Sequence, residues 1–329
     1  MVLNFLLKYR NLDVEILTAS WERFPVSLFS RFSEEQLRIP ESGYLPDYGQ
    51  SYLVKENKRD FFVSYMEKLT KKGNVDLVIP LTESTLVPLS GEKRILKGMN
   101  IYPSHDSILC LHDKTTFVER MKSFNPTSFS VPKAFSRENV DFPCFVKPTK
   151  GCGSHFSYRC ESNEELNSKI RIINNYGREP IIQEFIDGKR FAPNILVDKD
   201  YNIVRALSST KIPPRKTREV FEELERFFEG IGYYGFASPQ FLIDNSELYI
   251  MEINPRLSAS PYGLGFGAGF PKAFYRTIYN EENVDKRFVF TRGILGVWES
   301  SLRYSFKSAD LLPVVKFLFS HLHAKILKQ

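Results

Sequence analysis

This chain has little of what would classify it at a glance. Its 329 residues include only four cysteines, at positions 110, 144, 152 and 160, and no C-x-x-C pair. That spacing argues against structural zinc, and free thiols fit a reducing compartment, so the cytoplasm is the expected location. No apolar run reaches about 18 residues, and Met1 to Leu7 is too short and unflanked for a signal peptide, so neither a membrane span nor secretion is expected. The phosphate-cradling string G-x-x-x-x-G-K-[ST] is absent. A second glycine-rich stretch, Gly263 to Gly269 (GLGFGAG), lacks the G-x-G-x-x-G spacing and reads as a turn or a helix-packing segment. There is no zinc finger, RNP-type aromatic motif or long basic run. The net charge of +6 comes from scattered lysines and arginines, which suits an anionic small substrate better than a nucleic acid.

What is present is an ordinary globular composition, 42% hydrophobic and 26% charged, enough to bury two or three cores. Periodicity gives helices over 1–9, 58–71 and 86–97, with strands over 13–19 and 76–81. This alternation predicts a parallel sheet with helices on its faces. Asp113 reads as the N-cap of a helix over 114–123. From Phe142 onward strands dominate, with helices over 162–175 and 216–231. The last stretch, 311–329, reads as a basic amphipathic helix that caps a domain. Its His321 and His323 are not at helical metal-ligand spacing.

The densest chemistry lies in GFASPQFLIDNSELYIMEINPRLSAS, residues 235–260. Phe236–Ile243 and Glu247–Asn254 read as the two strands of a hairpin, with Asp244, Asn245 and Ser246 supplying turn chemistry. Glu252 and Asn254 are two apart, so on a regular strand they share a face, together with Leu248 and Ile250. An odd loop, for example Asn245 to Glu247, would set Gln240 opposite Glu252. One carboxylate and two amide oxygens would then converge, a hard-oxygen set that suits Mg²⁺ shared with phosphate oxygens. The same spacing also describes a polar surface hairpin.

Two other segments carry related chemistry. Pro143 to Ser154 is a short apolar strand ending in Lys147, followed by a loop containing Gly151 and Gly153. Such a loop can turn backbone N–H groups toward an anion, with the lysine as an added cation. Residues 181–188 (IIQEFIDG) form a second apolar strand that breaks into a polar turn, and a strand exit of this kind can offer backbone groups to a flat heterocycle.

Taken together, DLVIPLTE (76–83), HDKTTFVERM (112–121), VPKAF (131–135), FVKPTKGCGS, IIQEFIDG and QFLIDNSELYIMEINPR resemble the ATP-grasp superfamily. The likeness is greatest to its carbamoyl-phosphate-synthase-like, carboxylate–amine ligase branch. It runs from about residue 76 to about 269, and E-x-N-x-R with a Gln twelve residues before the Glu is its most specific part. The resemblance implies an α/β pre-ATP-grasp domain with a parallel sheet (1–112), then a two-subdomain α+β ATP-grasp fold: a small lid subdomain (113–187) and a C-terminal subdomain with the metal site (188–329). In the relatives the first domain opens on a strand, whereas here Met1 falls inside the first helix, as though a strand were missing. Either that strand is missing or the start is assigned too late; a real loss would leave a sheet short of one strand, which would favour dimerisation or low stability.

By the same resemblance, Gln240, Glu252 and Asn254 would hold Mg²⁺, or Mn²⁺ in its place. Lys114 and Lys147 would contact the phosphates of ATP. Gly151, Gly153 and Ser154 would belong to a lid loop, and Gln183, Glu184, Phe185 and Ile186 would receive adenine. Arg256 would face the reaction centre, its guanidinium able to grip a carboxylate or acyl phosphate with two parallel hydrogen bonds. Lys211 and Arg215 are candidates for the triphosphate end or the acid substrate. The implied activity is an ADP-forming ligase that activates a carboxylate as an acyl phosphate and couples it to an amine. Bicarbonate or carbamate activation, and nucleotide binding without catalysis, are the alternatives. Two departures bear on them. Where the family often has a Glu that meets the ribose, this chain reads Lys189-Arg190-Phe191, and its glycine loop continues into His155-Phe156.

Overall fold

The computed structural model describes residues 17–20, 35–40, 56–73, 75, 78–80, 82–92, 95, 102–151, 155–208, 210, 212–256 and 287–290. The expected helices at 1–9 and 311–329, the GLGFGAG stretch, Gly153, Ser154 and Lys211 lie outside the described residues.

The N-terminal part contains a parallel strand pair, β1 (Leu17–Ser20) with β2 (Glu35–Arg38), and helices α1 (Glu56–Lys72), α2 (Glu83–Ser90) and α3 (His105–His112). Three expectations shift here. Val78–Pro80 are not in a strand, α2 begins three residues earlier than its apolar pattern suggested, and it ends at Ser90 rather than continuing to 97. The first turn of α2 opens with Glu83, whose negative charge suits a helix N-terminus, and Gly91 follows its last residue. Phe62, Val63 and Met66 of α1 pack with Ile39, Leu89 and Ile95 in a small core.

Next comes α4 (Lys114–Phe124). Its N-cap is the predicted one: the Asp113 carboxylate accepts from the Thr115 and Thr116 N–H groups at 3.0 and 3.2 Å. A four-stranded antiparallel sheet follows, in the order β3-β6-β4-β5, from β3 (Ala134–Phe135), β4 (Cys144–Pro148), β5 (Tyr158–Cys160) and β6 (Pro180–Glu184). Helix α5 (Asn163–Asn175) covers one face of this sheet through Leu166, Ile170 and Ile173, which meet Cys144, Val146 and Cys160 in a separate core. Ser162 caps α5 by accepting from Glu165 N–H, while the Glu165 carboxylate accepts from the N–H of Glu161, the residue before the cap.

The third part is a larger sheet in the order β11-β10-β8-β9-β12, with β7 also on β10. It is built from β7 (Lys189–Phe191), β8 (Asn194–Val197), β9 (Ile203–Ser208), β10 (Gly235–Asp244), β11 (Glu247–Asn254) and β12 (Arg287–Phe290). Helix α6 (Pro214–Ile231) buries Val220, Phe221, Leu224, Phe227 and Phe228 against it, at the 3–4 spacing of an amphipathic helix. One acid interrupts that face. Glu223 is buried, and its carboxylate receives the Thr127 and Ser128 N–H groups, both at 2.7 Å, with the Ser128 hydroxyl, tying α6 to the segment after α4. Gly188, between β6 and β7, lies so close to β10 that a Cβ there would meet the Ile243 backbone at 2.8–3.0 Å.

The β10–β11 hairpin differs from the sequence expectation in two linked ways. Its loop is even: Asp244 pairs with Glu247 around Asn245 and Ser246, both left-handed (φ 45° and 71°), as a type I′ turn requires. An unbroken ladder from that turn would set Gln240 against Met251. A β-bulge intervenes instead: Phe241 pairs with Ile250 but Gln240 pairs with Glu252, leaving Met251 as the extra residue. The bulge also reverses the alternation of β11. Leu248, Ile250 and Ile253 lie in the main core, so Glu252 does not share a face with Leu248 and Ile250. It turns with Met251 into the cavity described next.

Candidate functional site

The cavity, of about 200 Å³, lies where β4 approaches the β10–β11 hairpin. Each wall is set by a local structural cause. The bulge turns Met251 and Glu252 inward. The end of β4 delivers Lys147, and the Asp113 cap fixes the first turn of α4 and with it Lys114. Both lysines are nearly buried, 5% and 7% exposed. Lys147 Nζ donates to the Met251 carbonyl at 3.2 Å and stands 3.9 Å from Glu252 Oε2. Lys114 Nζ donates to the Gly151 carbonyl at 2.9 Å and stands 3.6 Å from the same Oε2. The bulge thus supplies a carbonyl for one lysine as well as aiming the carboxylate between the two.

Burial pushes the Lys147 ammonium down to about 8; Glu252 opposes that fall and Lys114 adds to it. For Glu252, burial raises the carboxyl, but Lys114 and Lys147 outweigh it and hold the group below the usual carboxylate range. At this end of the cavity two nearly buried lysines face one ionised carboxylate. Two positive charges so close repel each other, and an anionic ligand that bridges them relieves that repulsion.

Beyond Glu252 the strand ends at Asn254, whose Nδ2 donates to Glu252 Oε1 at 3.4 Å, and two residues past that end lies Arg256, whose Nη2 donates to Asn254 Oδ1 at 3.3 Å. Arg256 Nε donates to Glu83 Oε1 at 3.1 Å, and the other oxygen of Glu83 is 2.8 Å from His112 Nδ1. Glu83 is 3% exposed. Burial raises its carboxyl, yet the hydrogen bond and charge of His112, followed by Arg256, bring it below the ordinary value. Glu83 and His112 belong to the DLVIPLTE and HDKTTFVERM segments, where sequence pattern assigns neither a role. No periodicity could have found them, because the pairing spans 173 residues between Glu83 and Arg256.

The structure brings together Lys114, Lys147, Gly151, Gln240 and Glu252 around the cavity, with Asn254 at the end of the same strand and Arg256 two residues past it. The adenine candidates divide. Gln183 of β6 is fully buried, and neither its amide nitrogen nor its amide oxygen has a hydrogen-bond partner. It is the Cα partner of Phe145, which lines the cavity. Leaving a buried amide unsatisfied costs about 1–3 kcal/mol, so a group that both donates and accepts is the natural complement here. Glu184 instead uses its carboxylate to accept from Lys133 N–H at 2.7 Å, which ties β6 to β3. Phe185 stacks under the Arg159 guanidinium at 4.4 Å, and Ile186 is buried in the connector to β7. Arg215 is not brought to the cavity: its side chain is 93% exposed and pairs with Glu219 one turn along α6.

At the foot of the glycine loop, Gly151 has φ +150°, and a Cβ there would lie 2.6 Å from Arg178 Nη1. Arg178 also donates to the Lys150 carbonyl at 3.4 Å. The donor set of Gln240, Glu252 and Asn254 matches what a magnesium ion takes when phosphate oxygens and water complete its shell, and the unsatisfied Gln183 amide beside Phe145 matches a purine edge. The residues present therefore fit both groups. Among the described residues there is no cluster of three or more His, Cys, Asp or Glu side chains that would hold a metal unaided.

Comparison with known proteins agrees with this geometry. Residues 111–260 match the ATP-grasp domain. The chain is 27% identical over 140 residues to a D-alanine–D-alanine ligase of Flavobacterium johnsoniae, covering 36% of this chain and 43% of that one. It is 23% identical over 251 residues to a tyramine–L-glutamate ligase of Methanocaldococcus jannaschii, covering 72% and 73%. The chain thus spans less than half the length of the D-alanine–D-alanine ligase it matches. Among solved structures, the biotin carboxylase domain of Hydrogenobacter thermophilus 2-oxoglutarate carboxylase, crystallised with MgADP and bicarbonate, superposes with a TM-score of 0.64 at 16% identity, over 87% of this chain and 69% of that one. An L-amino acid ligase from Bacillus licheniformis gives 0.61 at 16%, over 84% and 70%. These two likenesses are of fold.

Proposed function

We propose, from the premise that this chain belongs to the ATP-grasp superfamily, that it is an ATP-dependent, ADP-forming ligase that activates a carboxylate and joins it to an amine. The observation that carries this reading is the convergence of Lys114, Lys147 and the bulge-aimed Glu252 on one cavity, with Gln240 opposite and Arg256 just past the end of the same strand. D-alanine–D-alanine, tyramine–L-glutamate and L-amino acid ligases are among the proteins this chain is similar to, which supports an amino acid as the acid substrate.

In this reading Gln240, Glu252 and Asn254 hold Mg²⁺, which when bound neutralises charge on the β- and γ-phosphates. Lys147 and Lys114 draw the triphosphate to the cavity, and their near burial makes each contact stronger than at an open surface. The Gln183 amide and the connector at 184–186 receive the adenine. Arg256 grips the substrate carboxylate with its planar guanidinium, setting the carboxylate oxygen toward the γ-phosphorus. Attack forms the acyl phosphate and releases ADP; the amine then displaces phosphate. The loop that begins at Gly151, with Gly153 and Ser154, excludes water that would hydrolyse the acyl phosphate. The division into 1–112, 113–187 and 188–329 belongs to the same reading, supported by the small sheet having its own core. A reducing, cytoplasmic location is supported by the buried free thiols of Cys110, Cys144 and Cys160. Among the described residues no helix is long and apolar enough to cross a membrane.

The test is ADP release measured over paired pools of amino acids and amines, with wild-type protein and Arg256→Ala. The reading predicts release that needs both an acid and an amine and falls at least 100-fold in the variant. Release that is independent of both pools, or unchanged in Arg256→Ala, would reject it.

A further inference from the structure

Arg190 has no role in the site as described, yet it lines the same cavity as Lys114, Lys147 and Glu252. Its placement follows from sheet register. On β7, Arg190 is the Cα partner of Leu242 on β10, and Leu242 is two residues from Gln240 on the same face. Arg190 is therefore the diagonal neighbour of Gln240, a separation of about 7–8 Å that an arginine side chain spans. Its backbone is held in place, since the Arg190 carbonyl accepts from the Thr210 hydroxyl at 2.8 Å, and the residue is exposed.

The charges around the cavity give this position its meaning. Among the described residues lining it, Glu252 is the one carboxylate, and it stands against Lys114, Lys147 and Arg190. Gln240, opposite Glu252, is neutral. The wall thus carries a surplus of two positive charges before any metal ion is counted. A ribose offers neutral hydroxyls, which gain little from a guanidinium in such a surplus. A triphosphate offers the negative charge that the surplus lacks, and a planar guanidinium can meet two phosphate oxygens at once.

We propose that Arg190 is a triphosphate-binding residue, reaching past the neutral Gln240 to the phosphates, so that part of the nucleotide affinity of this protein does not require a divalent ion. This deepens the ligase reading and rests on its assignment of the cavity to ATP.

The experiment is calorimetric titration of the full chain with ATP, ADP and adenosine, each with Mg²⁺ and with EDTA, for wild type, Arg190→Gln and Arg190→Lys. Because Arg190 is exposed, both variants are expected to fold, and their far-UV circular dichroism checks it. Wild type is expected to bind ATP measurably in EDTA. Arg190→Gln is expected to weaken ATP about tenfold or more, with the larger loss in EDTA, and to leave adenosine unchanged. Arg190→Lys should recover part of the loss. Equal ATP affinity in wild type and Arg190→Gln would overturn the proposal, as would an adenosine loss as large as the ATP loss, or no binding of ATP by wild type. The two readings fail separately: the predicted pattern in a protein with no acid- and amine-dependent ADP release would sink the ligase and leave Arg190 standing, whereas ligase activity with Arg190→Gln unchanged in ATP affinity would do the reverse.

Discussion

Replacing Glu83 with alanine should be among the costliest single changes in the molecule, and the structure says why. The carboxylate is 3% exposed, and each oxygen has its own partner: Arg256 Nε at 3.1 Å and His112 Nδ1 at 2.8 Å. Hydrogen bonds to charged groups contribute about 1.5–3 kcal/mol each, and removing one partner of a buried ion pair costs about 3–5 kcal/mol because the other charge stays behind. Arg256 is only 15% exposed, so little water can replace the lost carboxylate. We therefore expect Glu83→Ala to lose about 3–5 kcal/mol, a large share of the roughly 5–15 kcal/mol that holds a domain folded. Glu83→Gln keeps the shape and one acceptor, and should lose about half as much. Urea unfolding followed by far-UV circular dichroism measures both. A double-mutant cycle with Arg256→Gln isolates the pair and should give a coupling of about 1–3 kcal/mol. A loss below about 1 kcal/mol in Glu83→Ala, or strict additivity in the cycle, would refute the account of Arg256 as held across 173 residues by a buried carboxylate.

Further outcomes follow from other parts of the fold. The backbone and hydroxyl donors of Ser128 and Thr127 outweigh burial and hold the Glu223 carboxyl below its ordinary value. A depressed carboxyl stabilises above its unfolded value, near 4.5, and that contribution disappears as pH falls through the lower folded value. Glu223→Gln should therefore be less stable at pH 7 and show a shallower acid loss than wild type by urea unfolding; identical pH profiles would contradict this. Ser246 is left-handed at the second turn position, so Ser246→Gly should raise stability by about 0.5–1 kcal/mol, and a decrease would argue against the type I′ turn. Gly188→Ala should destabilise by about 1–3 kcal/mol, since its Cβ meets backbone rather than a movable side chain; a neutral result in thermal unfolding would mean that β10 yields there.

Much of this architecture is legible from local pattern. Asp113 is a recognisable cap, the 214–231 stretch has an apolar face at helical spacing that Glu223 alone of its acids interrupts, and the segments around Lys147 and Glu252 carry their chemistry in short strings. The hairpin shows where such reading stops. Alternation placed Glu252 on the face of Leu248 and Ile250, and an odd loop was needed to bring Gln240 opposite. The chain reaches the same pairing by another route, an even turn followed by a bulge at Met251. A bulge has no fixed residue signature, because it answers to a tertiary demand, here a carbonyl for Lys147 and a carboxylate between two lysines. Glu83 and His112 were invisible for a related reason: their partner is distant in sequence. Arg215 misled because a basic residue near a motif resembles a ligand until its side chain is seen pairing with Glu219.

The central claim is that a carboxylate is activated by taking the γ-phosphoryl group, and isotope transfer tests it most directly. The amino acid giving the greatest ADP release would be labelled with ¹⁸O in its carboxylate and turned over with ATP and amine. The account predicts one ¹⁸O in the phosphate released for each bond formed. Phosphate free of label, with all the ¹⁸O kept in the acid or product, would contradict it.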